Sequence, residues 1–453
     1  MTECNRDRFE FASTPGTRQI VAEFSGGTIT TDAGSLLLKE TDAKMNLLAR
    51  FSQCFTDRRS PLLIEHTLEQ MLRQRVYGLA LGYEDLNDHD LLRQDPLLGV
   101  MAGKSEPGTD LLAGKSTLNR MELGTGAPSR YKKITFWRDS VDELLVDVFL
   151  EAHPVAPEQI VLDIDTTDMA LHGDQEDKFY HGYYKHYCYL PLYIFCGDHV
   201  LCARLRPSSI GPAVGSRKEV ERIVQQIRQR WPEVEIILRG DSGFCAEELL
   251  SWCENNRVHY VVGVARNQRL EKLVDGPLAE AKQQFEATQQ PARIFVEFEH
   301  KTLKGLWNKD RRVVAKAEHI NGKSNPRFLV TSLDPERWEK QKLYEELYCG
   351  RGDMENRIKE QFVLFADRVS VSTMRGNQLR IYLSVLAYTL MNGLRRLGLK
   401  ATTMATAQVG TIRLKVLKIG ALIQVTIRKV WVRMASSYPY RALFSQVLQQ
   451  LRT

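Results

Sequence analysis

Apolar residues recur at helical spacing near both ends of the chain and alternate with polar residues in its middle. Leu68, Met71, Leu72 and Val76 keep the steps of three and four that predict an amphipathic helix, and most of the first 152 residues follow this pattern. Between residues 159 and 264 the order is three strand-like runs, a helical stretch, a strand-like run, a second helical stretch and a last strand-like run. This order predicts a mixed α/β sheet.

Breaks in the pattern divide the chain into regions. A proline-rich run at 153–157 ends the first helical part, in which residues 17–30 are expected to pair as two strands. Leucines from 379 to 397 keep steps of three and four, which is typical of a buried packing helix. We expect a mostly helical N-terminal region over 1–152, a mixed α/β core over 153–265 and 334–400, a β-rich insertion over 266–333, and a basic C-terminal region over 401–453.

The charged residues are unevenly distributed along the 453 residues. The formal net charge is +6, but Asp367 is the last acidic residue and 14 of the 62 Lys and Arg residues follow it. The part up to Asp367 therefore holds 48 basic against 56 acidic residues. The 86 residues after it hold no carboxylate side chain and are rich in Leu, Ile, Val and aromatic residues. The apolar residues indicate that this segment is folded and not a disordered tail. Its unbalanced positive charge predicts a surface that binds a polyanion.

Other broad classes are excluded by composition. No run approaches the roughly 18 apolar residues that span a bilayer, and the first residues lack the pattern of a signal peptide. The eight cysteines include no C-x-x-C pair, so they indicate neither a zinc finger nor a disulfide framework. We therefore expect a protein of a reducing, cytoplasmic compartment.

Two acidic positions lie where apolar strands end. Asp163 and Asp165 close the run that begins at Ile160, and alternation places both on the face opposite Ile160, Leu162 and Ile164. Carboxylates at the end of a core strand are costly unless they are paired or bind a metal, which favours a functional role over a capping one without choosing between the two.

Asp241 leaves the next predicted buried strand into Ser242-Gly243. An ordinary Asx-turn has the same appearance, so this position alone does not separate a turn from a functional carboxylate.

A third acidic position, Glu355, lies in a predicted helix. There Tyr348, Arg351 and Glu355 share one face with Lys359 or Phe362. For an isolated helix, a solvated charged face is the simpler interpretation. Taken with the two strand-end carboxylates, however, Glu355 would complete an all-oxygen pocket that suits Mg²⁺ or Mn²⁺ rather than zinc.

Such a pocket has a specific chemistry. Two ions about 4 Å apart can activate an attacking oxygen and stabilise a leaving oxygen at a phosphodiester. A neighbouring Tyr and Arg would hold adjacent phosphates, the Arg as a bidentate donor.

These residues resemble a known family. The run Asp-Thr-Thr at 165–167, the run Asp-Ser-Gly-Phe at 241–244 and the pattern Tyr-x-x-Arg-x-x-x-Glu at 348–355 are similar to those of the DDE transposases of bacterial insertion sequences. In that subgroup a ribonuclease-H-like domain carries a β-rich insertion before the Glu. Residues 172–197 and 351–361 resemble the insertion sequence 1380 group more closely.

The resemblance implies a metal-dependent DNA transposase that binds terminal inverted repeats, cleaves at the transposon ends and joins their 3′ ends to target DNA. Its fold would be a ribonuclease-H-like catalytic core with a β-rich insertion, flanked by a mostly helical N-terminal DNA-binding region and a basic C-terminal region. Its partners would be double-stranded DNA and further copies of the chain, as a homodimer or higher, in the bacterial cytoplasm on the nucleoid.

The resemblance also assigns residues. Asp165, Asp241 and Glu355 would be the catalytic ligands of two Mg²⁺ ions, which Mn²⁺ can replace, and Tyr348 and Arg351 would hold phosphate. Asp165 is preferred to Asp163 because the first Asp of the family is also followed by Thr. The wider signature has a Lys seven residues after the Glu, where this chain has Phe362. Lys359, one turn after Glu355, is the candidate substitute, and its role stays open.

Further basic residues are candidates for DNA contact. Lys301, Lys304, Lys309, Arg311 and Arg312 surround Trp307 at a predicted hairpin, where Trp307 would stack on a displaced base. An exposed hairpin with a core Trp is the alternative. Lys115 and Arg120 in the N-terminal region are candidates for contact with the terminal repeat on electrostatic grounds.

Three alternatives remain at this stage. A metal-dependent nuclease without strand transfer would use the same pocket, and a catalytically silent DNA-binding protein derived from a transposase would not need it. The intact Asp, Asp and Glu argue against the silent protein. A separate transition-metal site at His172, His181 and His186 is a minor alternative, because no cysteine spacing supports it.

Overall fold

The structure, a computed structural model, describes residues 8–12, 14, 16–123, 129–302 and 306–453. These residues form two compact units. The first unit holds the chain up to Ser52, Asp57–Met121 and Leu386–Thr453, and the second holds Gln53–Thr56 and Glu122–Val385. The division differs from the predicted regions, because the last 68 residues belong to the same unit as the N-terminal segment.

The strands are β1 Arg8–Phe11, β2 Ile20–Glu23, β3 Ile29–Thr30, β4 Phe55–Asp57, β5 Ile134–Phe136, β6 Gln159–Thr166, β7 Met169–Ala170, β8 Phe179–His181, β9 His186–Tyr189, β10 Leu192–Cys196, β11 His199–Arg204, β12 Glu235–Gly240, β13 Val258–Val264, β14 Ala292–His300, β15 Arg311–Ile320, β16 Lys323–Ser324, β17 Arg327–Thr331, β18 Ala421–Val425 and β19 Val430–Met434.

The α-helices are α1 Leu36–Met45, α2 Leu47–Gln53, α3 Leu68–Leu81, α4 His89–Leu92, α5 Pro96–Ala102, α6 Lys115–Glu122, α7 Arg138–Glu151, α8 Ser216–Arg230, α9 Glu247–Asn255, α10 Gln268–Lys272, α11 Asp275–Thr288, α12 Lys340–Lys342, α13 Gly352–Val363, α14 Met374–Leu394, α15 Val409–Ile412 and α16 Arg441–Arg452. Three segments are π-helical, at Leu343–Tyr348, Arg395–Leu399 and Arg413–Leu417.

A nine-stranded mixed sheet is the framework of the second unit. Its order is β11-β10-β6-β12-β13-β17-β15-β14, with β16 paired to β15. Neighbours β6 and β12, and β12 and β13, run parallel, while the other pairs run antiparallel. Four of the strand-like runs predicted between 159 and 264 are confirmed as β6, β11, β12 and β13, and the two predicted helices are α8 and α9. The remaining run, predicted as one strand over Tyr187–Phe195, is two strands, β9 and β10, of which only β10 belongs to this sheet.

The predicted insertion is not separate from this sheet. Its strands β14, β15 and β17 continue the sheet, because β17 pairs with β13 along Val261–Val264.

Side chains of β12 alternate between the two faces of the sheet. Ile236 and Leu238 join a core with residues of α7, α8 and α9. Ile237 lies in a second core with Leu343 and Leu347, from the π-helical segment. The chain that leads to α13 therefore packs directly on the central parallel strands.

The first unit joins the two ends of the chain through a small sheet. Here β18 pairs with β3 and with β19, in the order β19-β18-β3. The predicted strand pair within 17–30 is wrong, because β2 pairs with β1 and β3 pairs with β18. The pairing of β3 depends on residues about 390 positions away, and local alternation carries no information on such a partner. Among the described residues, no helix has the length and apolarity that would carry it across a membrane.

Candidate active site

The carboxylates of Asp165 and Asp241 lie at the ends of two neighbouring parallel strands. Gly240 of β12 is in register with Ile164 of β6. The next residues along these two parallel strands are Asp241 and Asp165, which therefore lie side by side. The carboxyl ends of parallel strands share one edge of the sheet. The two acidic runs of the sequence thus meet in one pocket.

Each of these carboxylates also accepts a hydrogen bond from a backbone amide close by in the chain. One oxygen of Asp241 accepts a hydrogen bond from the Gly243 amide at 2.8 Å, and one oxygen of Asp165 accepts from the Thr166 amide at 2.8 Å. The Asx-turn interpretation of Asp241 is therefore correct for Oδ1, while Oδ2 remains directed at the pocket.

The guanidinium of Arg351 lies between the two carboxylates. Its Nη2 donates to Asp165 Oδ2 at 2.9 Å and is 4.0 Å from Asp241 Oδ2. Burial raises the pKa of Asp165, as does the nearby Asp241, and Arg351 offsets part of this effect. Nε of Arg351 is buried and has no hydrogen-bond partner among the described residues.

Asp163 has a different partner from Asp165. Arg239 donates to it with two nitrogens, Nε to Oδ1 at 2.5 Å and Nη2 to Oδ2 at 2.8 Å, and both side chains are buried. Burial raises the pKa of Asp163, and Arg239 opposes the rise. Because this bidentate pair occupies both oxygens, Asp163 is a structural carboxylate, and Asp165 is the one that faces the pocket.

Arg239 also connects the strands to the segment that carries Arg351. Its Nη1 donates to the backbone carbonyl of Leu347, where the helix changes from the π-helical turn Leu343–Tyr348 to the 3₁₀ turn Cys349–Arg351. Gly350 allows this contact, since a Cβ there would lie 2.7 Å from Arg239 Nη1. Interruptions of the regular helix are common at functional sites.

Tyr348 lines the same pocket. A Cβ added at Gly263 would lie 3.0 Å from the Tyr348 hydroxyl and would also meet the backbone of Asp241 and Ser242. The hydroxyl is therefore close to these two residues. Burial raises the pKa of Tyr348, and Arg351 partly offsets the rise. The predicted pair Tyr348 and Arg351 is therefore brought together with Asp165 and Asp241.

Glu355 lies one turn after Arg351 on α13, but its carboxylate is directed to solvent. The side chain is 69% exposed and forms an ion pair with Lys359 at 2.8 Å. The hydrogen bond and charge of Lys359 lower the pKa of Glu355, and Arg351 adds a smaller effect. The solvated-face interpretation describes this arrangement. Among the described residues, no three His, Cys, Asp or Glu side chains are grouped to hold a metal.

The donor set fits a hard divalent cation at Asp165 and Asp241. Nη2 of Arg351 lies between the two carboxylates, so a metal ion held by both would take the place of this nitrogen. The two side chains offer only oxygen atoms as ligands, which favours Mg²⁺ or Mn²⁺.

Two residues of the predicted stacking hairpin are buried, while Leu306 and residues 308–310 are exposed. Trp307 is 3% exposed, with the Arg311 guanidinium 5.5 Å from its ring, so neither face of the indole is open to a base. Arg311 is 2% exposed and pairs with Glu247 at 2.7 Å and Glu254 at 2.8 Å.

Arg312 is likewise engaged, with Glu297 at 2.6 Å and with two backbone carbonyls. These three side chains stabilise the sheet rather than present a DNA surface, because buried cations pair with carboxylates. Lys304 lies outside the described residues.

The remaining predicted residues lie elsewhere. Lys115 and Arg120 are exposed on α6, and Lys115 contacts Asp90 at 3.3 Å. His186 is in register with His181 and its ring contacts Asp168 at 2.8 Å. No grouping suited to a metal includes these histidines in the part of the chain that the structure describes.

Sequence reasoning missed the role of Arg239. A usable signal was present, since Asp163-x-Asp165 and Arg239-x-Asp241 have the same spacing at the ends of two predicted strands. Parallel pairing in register then places Arg239 opposite Asp163 and Asp241 beside Asp165. Only the strand order, which the sequence pattern does not contain, turns this spacing into a contact.

Known proteins similar to the chain include a family and a solved structure. The family model described as "Transposase DDE domain group 1" matches residues 12–453. The chain is also similar to the piggyBac transposase in a cryo-EM structure of its synaptic complex with hairpin DNA, with a TM-score of 0.41 and 11% identity. That similarity covers 93% of this chain and 81% of the other. No curated protein matches the chain.

Proposed function

The chain belongs to the DDE transposase family, group 1, and from this premise we propose that it binds terminal inverted repeats, cleaves at the transposon ends and joins their 3′ ends to target DNA. The observation that carries the proposal is the convergence of Asp165, Asp241 and Arg351, with Arg351 Nη2 2.9 Å and 4.0 Å from the two carboxylates. Anionic oxygens beside a cationic donor suit a reaction at a phosphodiester.

The carboxylates of Asp165 and Asp241 would hold the metal, and Glu355 is proposed as the third ligand. Two Mg²⁺ ions bound there, or Mn²⁺ in their place, would supply activation of the attacking oxygen and stabilisation of the leaving oxygen. The role of Glu355 rests on the family pattern and on its place one turn after Arg351, and it requires the side chain to leave Lys359.

Arg351 and Tyr348 would position the phosphate. Nε of Arg351, which has no partner among the described residues, would donate to a phosphate oxygen, and the Tyr348 hydroxyl lies near the backbone of Asp241 and Ser242 at the same strand end. In cleavage a water oxygen bonds to phosphorus as the bond to the 3′ oxygen breaks. In joining, that freed 3′ oxygen bonds to a target phosphorus as the bond from this phosphorus to the 3′ oxygen of the target strand breaks, and the departing oxygen takes up a proton in place of the one that the attacking hydroxyl loses. One pocket therefore serves both steps.

Finer assignments are part of the same proposal. The strand order β11-β10-β6-β12-β13, with three antiparallel strands followed by two parallel ones, supports a ribonuclease-H-like core. Residues 172–197 support membership of the insertion sequence 1380 group and hence a bacterial, nucleoid-bound protein. Synapsis of two ends requires at least a dimer. The exposed Lys115 and Arg120, with the basic C-terminal region, are proposed to contact DNA.

The test is incubation of the full chain with Mg²⁺ and a DNA fragment that carries the inverted repeats flanking its own coding region. We expect cleavage at the repeat ends and joined products with a target plasmid, and neither product from Asp241→Ala. Asp353→Asn is the matched control, because Asp353 is an exposed carboxylate on α13 two residues before Glu355.

Each result has a distinct meaning. Cleavage without joined product would identify a nuclease, and DNA binding without either would identify the silent DNA-binding protein. Equal cleavage by wild type and Asp241→Ala would reject the assigned pocket.

A further inference from the structure

A short hairpin next to the first catalytic strand exposes several aromatic rings. Strands β7, β9 and β8 form a three-stranded sheet, and the β8–β9 hairpin places Phe179, Tyr180, Tyr183 and Tyr187 at the surface. Tyr183 is 82% exposed and the other three are roughly half exposed. Scattered exposed apolar residues need no explanation, but Tyr180 and Tyr187 are paired on one face of the hairpin with Tyr183 at its turn, and such a group of rings is of the kind that marks a binding surface.

The hairpin holds these rings in a fixed arrangement. Tyr180 and Tyr187 meet edge to face at 5.5 Å, and Tyr183 meets Tyr184 in the same way at 5.1 Å. The ring of His186 contacts Asp168 at 2.8 Å. Aromatic side chains with few rotatable bonds, presented on a paired strand, lose little conformational entropy when they bind a planar partner.

The hairpin begins close to the proposed active site. Strand β7 starts four residues after Asp165 and pairs with β9 through Met169 and Tyr189. Tyr184 lies near enough that the charge of Asp165 is among the causes that raise its pKa, after burial and Asp168. A ligand on the hairpin would therefore lie beside the strand end where the phosphate is cut.

Two lysines beside the rings offer charge to the phosphates of a nucleic acid. The Lys178 ammonium lies 5.6 Å from the centre of the Tyr187 ring and also pairs with Asp174 at 2.6 Å. Lys185 is exposed at the hairpin turn and forms no ion pair with the described residues. Rings interleaved with cations are the surface that binds unpaired bases by stacking and their phosphates by charge. Bases in an intact duplex stack on one another and offer no open faces.

We propose that Tyr183 and Tyr187 form a stacking surface for unpaired bases of single-stranded DNA at a transposon end. The proposal deepens the proposed function, because it names the state of the DNA next to the cut. Unpaired bases held on the hairpin would keep a melted end from re-annealing beside Asp165.

The test measures binding without catalysis. The full chain is titrated, in EDTA, into a fluorescein-labelled oligothymidylate and into a blunt duplex of equal length, and anisotropy gives both affinities. Tyr183→Ala and Tyr187→Ala should each weaken single-strand binding by about fivefold or more and leave duplex binding within about twofold. Tyr183→Phe keeps the ring and should bind as wild type. Tyr131→Ala removes an exposed tyrosine elsewhere in the same unit and is the matched control.

The outcomes separate this proposal from the transposase proposal. Unchanged single-strand affinity in both alanine variants, or an equal loss for the duplex, would overturn the stacking surface whatever the cleavage result. Loss of self-association in place of single-strand binding would also overturn it and identify a contact between copies. If single-strand binding falls as expected while wild type never cleaves, the stacking surface stands and the transposase proposal fails. Tyr183 is exposed enough that its variants should unfold at the wild-type temperature.

Discussion

Gly350→Ala tests the connection between the strands and the helix of the proposed active site. The added Cβ would lie 2.7 Å from Nη1 of Arg239, much closer than two such atoms approach. Arginine tips usually yield, but this one is fixed to Asp163 by two hydrogen bonds of 2.5 Å and 2.8 Å. The bond that can break is the one from Nη1 to the Leu347 carbonyl.

The expected cost follows from that bond. A hydrogen bond from a charged group stabilises a protein by about 1.5–3 kcal/mol. Alanine regains roughly 0.5–1 kcal/mol of backbone entropy over glycine in a helix. Gly350→Ala should therefore lower the free energy of unfolding by about 1–2 kcal/mol. Since the released segment leads directly to Tyr348 and Arg351, a shift of about 1 Å there should slow cleavage by as much as a hundredfold.

Gly352→Ala provides the control, because a Cβ at Gly352 would meet no atom within 4 Å. Urea denaturation and the rate of end cleavage in Mg²⁺ are measured for both variants. The control should match or slightly exceed the wild-type stability and keep its rate. If Gly350→Ala behaves like Gly352→Ala in both measurements, Arg239 does not connect the strands to this segment.

Three further predictions concern charged groups. Burial lowers the pKa of His89 to about 3 from 6.5, so its contribution to stability is complete above the unfolded pKa and is lost as the pH falls. The free energy of unfolding measured in urea should be about 2 kcal/mol lower near pH 5 than at neutral pH. If His89→Gln shows the same decrease, His89 is not its cause. Replacing Arg428, Lys429 and Arg433 on the β18–β19 hairpin with Gln should reduce the slope of log affinity for duplex DNA against log salt by up to about 2.7, and an unchanged slope would place the DNA contact elsewhere. Arg311→Met should lower the free energy of unfolding by roughly 3–5 kcal/mol, because it leaves two carboxylates without their cationic partner. A decrease below about 1 kcal/mol in urea denaturation would contradict a structural role for Arg311.

The sequence predicted the elements of the sheet well because their signal is local. The strands from Gln159 to Val264 and the helices Ser216–Arg230 and Glu247–Asn255 each repeat an apolar spacing over their own length. Partner choice is not local. The pairing of β17 with β13, which makes the predicted insertion part of the main sheet, and the pairing of β18 with β3 both depend on distant residues. Truncation at about residue 400 would thus remove strands of the first unit and would not isolate the charge of the tail.

The candidate site shows the same limit. The strand ends at Asp165 and Asp241 could be read from sequence, because apolar runs lead into both. The burial of Trp307 and Arg311 could not, since a basic hairpin with one aromatic has the same pattern whether it faces solvent or the core. The charge of Arg311 is balanced by carboxylates of α9, about 60 residues earlier in the chain.

The proposed site for divalent metal ions at Asp165 and Asp241 is tested most directly by electron paramagnetic resonance of free Mn²⁺ during titration of the full chain. We expect wild type and Asp353→Asn to bind Mn²⁺ alike, and Asp165→Asn and Asp241→Asn each to weaken binding by about tenfold or more. Equal Mn²⁺ affinity in wild type and both pocket variants would contradict it.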